Sequence, residues 1–162
     1  TIDPMDSAVI SVTTIHGGDA FNVISQSLRL TGTVRTLRDN VRDHVETRLQ
    51  QAVSGIAAAF GAKGRLDYSR HYPVTVNHGP ETEFAAIAAE AVAGVGRVGR
   101  DMPPTLGGED FAFMLNEVPG AMINIGNGES ANLHHPAYDF SDEAIAWGCS
   151  YWCELVRQRL PL

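Results

Sequence analysis

Residues 28–35 read Leu-Arg-Leu-Thr-Gly-Thr-Val-Arg, and their alternation decides how the surrounding chain is understood. Leu28, Leu30 and Val34 point one way, while Arg29, Thr31, Thr33 and Arg35 point the other, the pattern of a strand with one covered and one polar face. A helix is expected next, over residues 39–60. Val41, Val45, Leu49, Val53, Ile56 and Phe60 recur at steps of three and four, with Arg42, Asp43, Glu46 and Gln50 between them and Gly61 as a stop. Upstream, residues 8–15 (Ala-Val-Ile-Ser-Val-Thr-Thr-Ile) are short and β-branched, as a strand requires. Downstream, residues 65–72 set Leu66, Tyr68 and Tyr72 against Asp67, Ser69 and His71. The first half therefore reads β-β-α-β.

The character changes at residues 73–80, where two prolines, Asn77 and a glycine resemble a linker. An Ala-rich helix is expected over 81–94, with Phe84, Ile87, Ala88, Ala91 and Val92 inward. A short helix follows at 109–117, with Glu109 and Asp110 in a first turn that suits carboxylates. A short apolar strand is expected at 121–125. The last helix begins at a capping Ser141, with Ile145, Cys149, Trp152, Val156 and Leu160 as its inward stripe. Two domains follow from this pass, 1–77 and 78–162.

Composition narrows the function. Twelve basic and nineteen acidic residues give a net charge of −7 over 162 residues, a sign that repels nucleic acid and anionic lipid. No apolar run approaches the roughly 18 residues that span a bilayer. Cys149 and Cys153 stand alone, without the further Cys or His that a soft metal site wants, and read as buried thiols of a cytoplasmic protein.

Four stretches can carry chemistry. In Leu133-His134-His135-Pro136-Ala137-Tyr138-Asp139-Phe140 an imidazole can face a metal, with Asp139 as its orienting acceptor; a solvated loop with incidental histidines fits the dipeptide as well. Gly107-Gly108 before a helix start offers free N–H groups to an oxyanion or carboxylate, or is ordinary turn chemistry. The long connection from His16 through Asn22 is a functional loop or a mobile turn. Arg35 can clamp a carboxylate bidentately, or be a solvated charge. No P-loop, G-x-S-x-G elbow or His-Glu-x-x-His pair is present.

In order, His16-Gly-Gly-Asp-Ala-Phe-Asn-Val-Ile-Ser, Leu30-Thr-Gly-Thr-Val-Arg35-Thr, Gly107-Gly-Glu-Asp-Phe and Leu133-His-His-Pro-Ala-Tyr-Asp-Phe closely resemble the aminoacylase/carboxypeptidase-type two-metal hydrolases. Within them, the resemblance is to hippurate hydrolases and N-acyl-amino-acid amidohydrolases. It covers essentially the whole chain. One departure is Ser25, where the family usually has Pro, which bears on loop stiffness rather than chemistry.

The resemblance implies an α+β chain: a partial ferredoxin-like lid (β-β-α-β, the first strand and helix missing) and then the C-terminal part of an α/β metallohydrolase catalytic domain. It implies His134 as a metal ligand. Asn22 and Arg35 would hold the substrate's carbonyl and carboxylate, while His16, Gly107 and Gly108 line the same cleft. Two divalent ions (zinc, manganese, cobalt or nickel) are implied for the parent enzyme, which cleaves the amide of small N-acyl amino acids and dimerises through its lid. The other ligands and the general base belong upstream, so these residues alone are expected to hold no complete metal pair and to be inactive. A competing reading, a free-standing ferredoxin-like binding or dimerisation module without metal, leaves residues 107–140 without a purpose.

Overall fold

A computed structural model describes Asp3 and residues 5–160. The chain is mixed α+β. A two-stranded antiparallel sheet, β1 (Ala8–His16) and β2 (Arg29–Thr36), is followed by helices α1 (Asp39–Ala59), α2 (Gly79–Ala93), α3 (Phe111–Glu117) and α4 (Glu143–Arg159). Contacts divide it into two compact units: Thr1–Val74 with Pro104–Glu109, and Thr75–Pro103 with Asp110–Leu162. The return of Pro104–Glu109 to the first unit carries no sign in composition.

In the first unit, Ala8 pairs with Thr36 and His16 with Arg29, and the register slips between Val12 and Thr14. That slip is a β-bulge, and it explains a glycine inside a strand: a Cβ at Gly32 would run into the carbonyl of Ser11. The Thr14 and Thr31 hydroxyls hydrogen-bond across the same point. Helix α1 packs against both strands. Its burial fades along its length, from Val41 (4% exposed) and Val45 (2%) through half-buried Leu49 and Val53 to Phe60 (85%). The helix ends as its sequence predicts. Gly61 turns at φ 69°, its N–H donates to the Ala58 carbonyl, and the Ala62 N–H donates to the Ala57 carbonyl, which closes a Schellman motif.

The strand expected at 65–72 does not form. Half-buried Leu66 and Tyr68 keep the alternation between exposed neighbours, yet the segment joins no ladder, because β1 and β2 pair only with each other. Side chains tie it to α1 instead: Arg70 bridges Asp43 (2.7 Å) and Glu46 (2.5 Å). Both carboxylates hold the Arg70 guanidinium charged, and burial followed by the Glu46 charge pushes the Tyr68 phenol up from its ordinary value.

In the second unit, α2 packs on α4. Ala85, Ala88 and Tyr151 form its buried centre, with Ala89, Ala121, Ile123 and Leu155 against them. This turns α4 away from its expected face and α2 only in part, since Ala88 is buried as expected and Val92 half-buried. Phe84 and Ile87 are exposed, and the Arg159 guanidinium lies 3.8 Å from the centre of the Phe84 ring. On α4 the covered positions are Ala144, Gly148, Tyr151 and Leu155, while Ile145, Cys149, Trp152, Val156 and Leu160 face out. Small residues explain the choice, since Ala85 and Ala88 let α4 come close to the α2 backbone, while Gly148 faces the Ile125 side chain. Cys149 and Cys153 are accordingly exposed rather than buried.

Three further expectations need correction. Residues 121–125 form no strand; the Asn77 side chain takes a partner strand's place, its amide donating to the Met122 carbonyl (2.8 Å) and its oxygen accepting from the Met122 N–H (2.9 Å). Ser141 is not the cap of α4, which starts at Asp142 without a side-chain capping bond. Helix α3 starts only at Phe111, so Glu109 and Asp110 precede its first turn.

Candidate active site

The functional candidates fall into groups within each unit. In the first unit, Arg35 lies near the end of β2, opposite Val9. Its Nη1–H donates to the Leu106 carbonyl at 2.6 Å, which brings the strand together with the Leu106-Gly107-Gly108 turn. The turn is packed as well as bonded: a Cβ at Gly108 would sit 3.2 Å from the Tyr72 ring. Among the described residues Arg35 makes no ion pair, a state it shares with Arg29, Arg48, Arg65, Arg97 and Arg159; what sets it apart is that its guanidinium donates to a backbone carbonyl. A neutral carbonyl orients the guanidinium without neutralising it. Most of its five N–H donors stay available to a planar anion.

His16 and Asn22 lie elsewhere on the same unit. His16 closes β1 opposite Arg29, six residues along β2 from Arg35, which separates the two by about 20 Å at a strand's rise per residue. Asn22 sits exposed in the connection beyond it, near a turn in which the Val23 N–H reaches the Ala20 carbonyl. Ser25, the departure from the family pattern, closes a local turn of its own: its hydroxyl donates to the Ser27 carbonyl (2.6 Å) and accepts from the Ser27 N–H (3.3 Å). Hydrogen bonds thus do part of what a proline ring would do there. The sheet therefore places Arg35 at one end and His16 at the other.

In the second unit, a loop presents His134. The loop is closed at its neck by Asn127, whose amide donates to the Asp139 carbonyl (2.7 Å) and whose oxygen accepts from the Ser141 N–H (2.8 Å). The Ser130 hydroxyl accepts from the Asp139 N–H at 2.9 Å. Within the loop, the His135 ring accepts from the Ala137 N–H through Nδ1 at 3.0 Å, so that imidazole serves the backbone. His134 adopts φ 68°, a left-handed conformation that a non-glycine residue holds only when its surroundings impose it. It is exposed, and no described residue hydrogen-bonds its ring. The Asp139 carboxylate orients neither imidazole; that residue is held through its backbone, contrary to the expectation from sequence.

The donor chemistry suits a metal at His134 but does not complete a site. No group of three or more His, Cys, Asp or Glu able to hold an ion forms among the described residues. The Leu106 carbonyl, Tyr72 and the Asn127 neck were all missed from sequence. Only Asn127 had a signal, because Asn-Gly marks a turn.

Residues 6–158 match the model of peptidase family M20/M25/M40. The chain belongs to this family. It is 38% identical over 152 residues to N-acetyldiaminopimelate deacetylase of Geobacillus sp. (strain WCH70), covering 93% of this chain and 39% of the relative. It is 32% identical over 155 residues to N-acetylcysteine deacetylase of Bacillus subtilis (strain 168), covering 96% of this chain and 40% of the relative. The crystal structure of the Bacillus subtilis YXEP protein, described as a dinuclear metal-binding peptidase of family M20, superposes with a TM-score of 0.75 at 31% identity, over 91% of this chain and 41% of that one. The chain thus spans about two fifths of the length of the family M20 relatives that it matches.

Proposed function

We propose that this chain is part of a metal-dependent amidohydrolase that cleaves the amide bond of small N-acyl amino acids, hippurate-like compounds among them. The observation that carries the reading is Arg35, a cation oriented by a neutral carbonyl and left without a carboxylate partner. The two deacetylase relatives support it, since both are named for N-acetylated amino acids. In this proposal Arg35 holds the substrate's free carboxylate and Gly107 and Gly108 line that cleft. His16 and Asn22, proposed for the substrate's carbonyl end, lie toward the other end of the sheet, about 20 Å away, too far to meet the same small substrate from this copy of the chain. His134 contributes one metal ligand, and the other ligands and the general base come from elsewhere in the longer protein. A bound pair of divalent ions, whether zinc, manganese, cobalt or nickel, supplies Lewis-acid polarisation of the scissile carbonyl and an activated water. What these residues contribute is placement. An Arg that fixes the carboxylate end of the acyl amino acid removes orientational freedom that attack would otherwise have to overcome.

The proposal extends to assembly. Strand β1 exposes Val9, Ile10, Val12 and Ile15 and pairs on one side only, so its free edge suits a second copy of the chain. We read β1, β2 and α1 as part of a ferredoxin-like lid that dimerises there, in a reducing compartment that suits exposed Cys149 and Cys153.

A substrate panel tests the function. Full-length protein loaded in turn with zinc, manganese, cobalt and nickel should release amine from N-acetyl and N-benzoyl amino acids, and far more slowly from their carboxamides. No release with any metal, or equal release from acids and amides, would overturn the reading.

A further inference from the structure

Arg35 is exposed on a strand, and an unrestrained arginine there would sample many rotamers and recognise no particular anion geometry. One hydrogen bond restrains it, from Nη1 to the Leu106 carbonyl at 2.6 Å. That carbonyl belongs to a glycine-rich turn, which by itself is a soft support. The turn is stiffened from outside. Gly108 lies flat against the Tyr72 ring, so closely that a Cβ would stand 3.2 Å from Cδ2 and 3.6 Å from Cγ. Three segments far apart in sequence thus meet in series, the aromatic of one on the backbone of the second, whose carbonyl holds the cation of the first strand.

We propose that Tyr72 and Gly108 are positioning residues that set the selectivity for a free carboxylate through Leu106 and Arg35. This rests on the reading of Arg35 as the carboxylate anchor, and it gives the Gly107-Gly108 pair a role distinct from donating its own N–H groups. Gly108 matters because it has no side chain. Gly108 does not stand at positive φ, so its backbone accommodates alanine, and the atoms nearest the methyl of Gly108→Ala are those of Tyr72.

The test is a mutant cycle on the metal-loaded full-length protein. It compares kcat/KM for hippurate with hippuramide, and for N-acetylmethionine with N-acetylmethioninamide, using whichever pair is turned over faster. Tyr72→Ala and Gly108→Ala should each reduce the acid-over-amide preference at least fivefold, mainly through KM for the acid. In an Arg35→Ala background neither should change that preference more than twofold, because the anchor they position is gone. Thermal unfolding of each variant identifies any that is unfolded, and two independent variants keep the test open if one is lost. Equal losses on acid and amide, or a full effect persisting without Arg35, would overturn the proposal. If Arg35→Ala itself leaves the preference unchanged, it is the carboxylate reading that fails.

Discussion

Replacing Arg35 with alanine isolates the carboxylate interaction, and its size can be bracketed from the structure. Unit charges about 4 Å apart attract by about 1 kcal/mol in water and about 4 kcal/mol at the effective dielectric of a protein surface. Arg35 is exposed and carries a neutral anchor, so no internal carboxylate offsets its charge. The loss on Arg35→Ala should therefore fall between those limits, about fivefold to about a thousandfold in kcat/KM, since about 1.4 kcal/mol is a factor of ten. The lower end applies if the bound carboxylate stays wet, the upper if substrate binding covers the pair. The assay is steady-state hydrolysis of an N-acyl amino acid beside its carboxamide, with metal content matched between variants. The amide should lose little, because it presents no charge for Arg35 to meet. A variant that loses the same factor on both substrates, or nothing on the acid, would refute an anion-binding role.

Three other outcomes follow from the packing and the charges. Ala88 is 0% exposed where α2 meets α4, so Ala88→Leu should overpack that contact and cost about 1–3 kcal/mol in denaturant unfolding; an unchanged midpoint would contradict the packing. Arg157 and then Gln158 hold the Glu154 carboxyl down to about 2, so its contribution is complete above the ordinary value of 4.5 and is lost as pH falls through about 2. The melting-temperature advantage over Glu154→Gln should thus be present at pH 5 and gone at pH 2, and a gap equal at both would remove the pair from the account. Proline placed at Ile10 and at Val12 in turn should lower the dimer fraction in light scattering for at least one site, whichever N–H faces the free edge; a dimer unaffected by both would exclude β1 as the interface.

Local chemistry made much of the fold legible. The strand at β2, the first turns of the α1 stripe and the stop at Gly61 have counterparts in the structure, because each depends on near neighbours; the covered face expected from the alternation of β2 does not, since Leu28 and Leu30 are 61% and 53% exposed. The face of α4 was not legible for a physical reason. Both sides of α4 are apolar, Ala144, Gly148, Tyr151 and Leu155 on one and Ile145, Cys149, Trp152 and Val156 on the other. Periodicity cannot choose between two apolar stripes, whereas close approach to Ala85 and Ala88 can. At the site, Arg35 and His134 stood out by type and motif. Their supports did not, since the Leu106 carbonyl is backbone and the left-handed turn at His134 lies in a loop whose closure by Asn127 joins residues far apart in sequence.

In the proposed enzyme His134 is the imidazole that this chain gives to the metal site, and His134→Ala in the full-length protein removes it. Metal per chain is measured by elemental analysis alongside hydrolysis of N-acyl amino acids, with circular dichroism as the check on folding. The expected result is a folded protein that holds less metal than the wild type loaded in parallel and has lost most of its turnover. A folded variant with as much metal as the wild type and wild-type turnover would contradict that role.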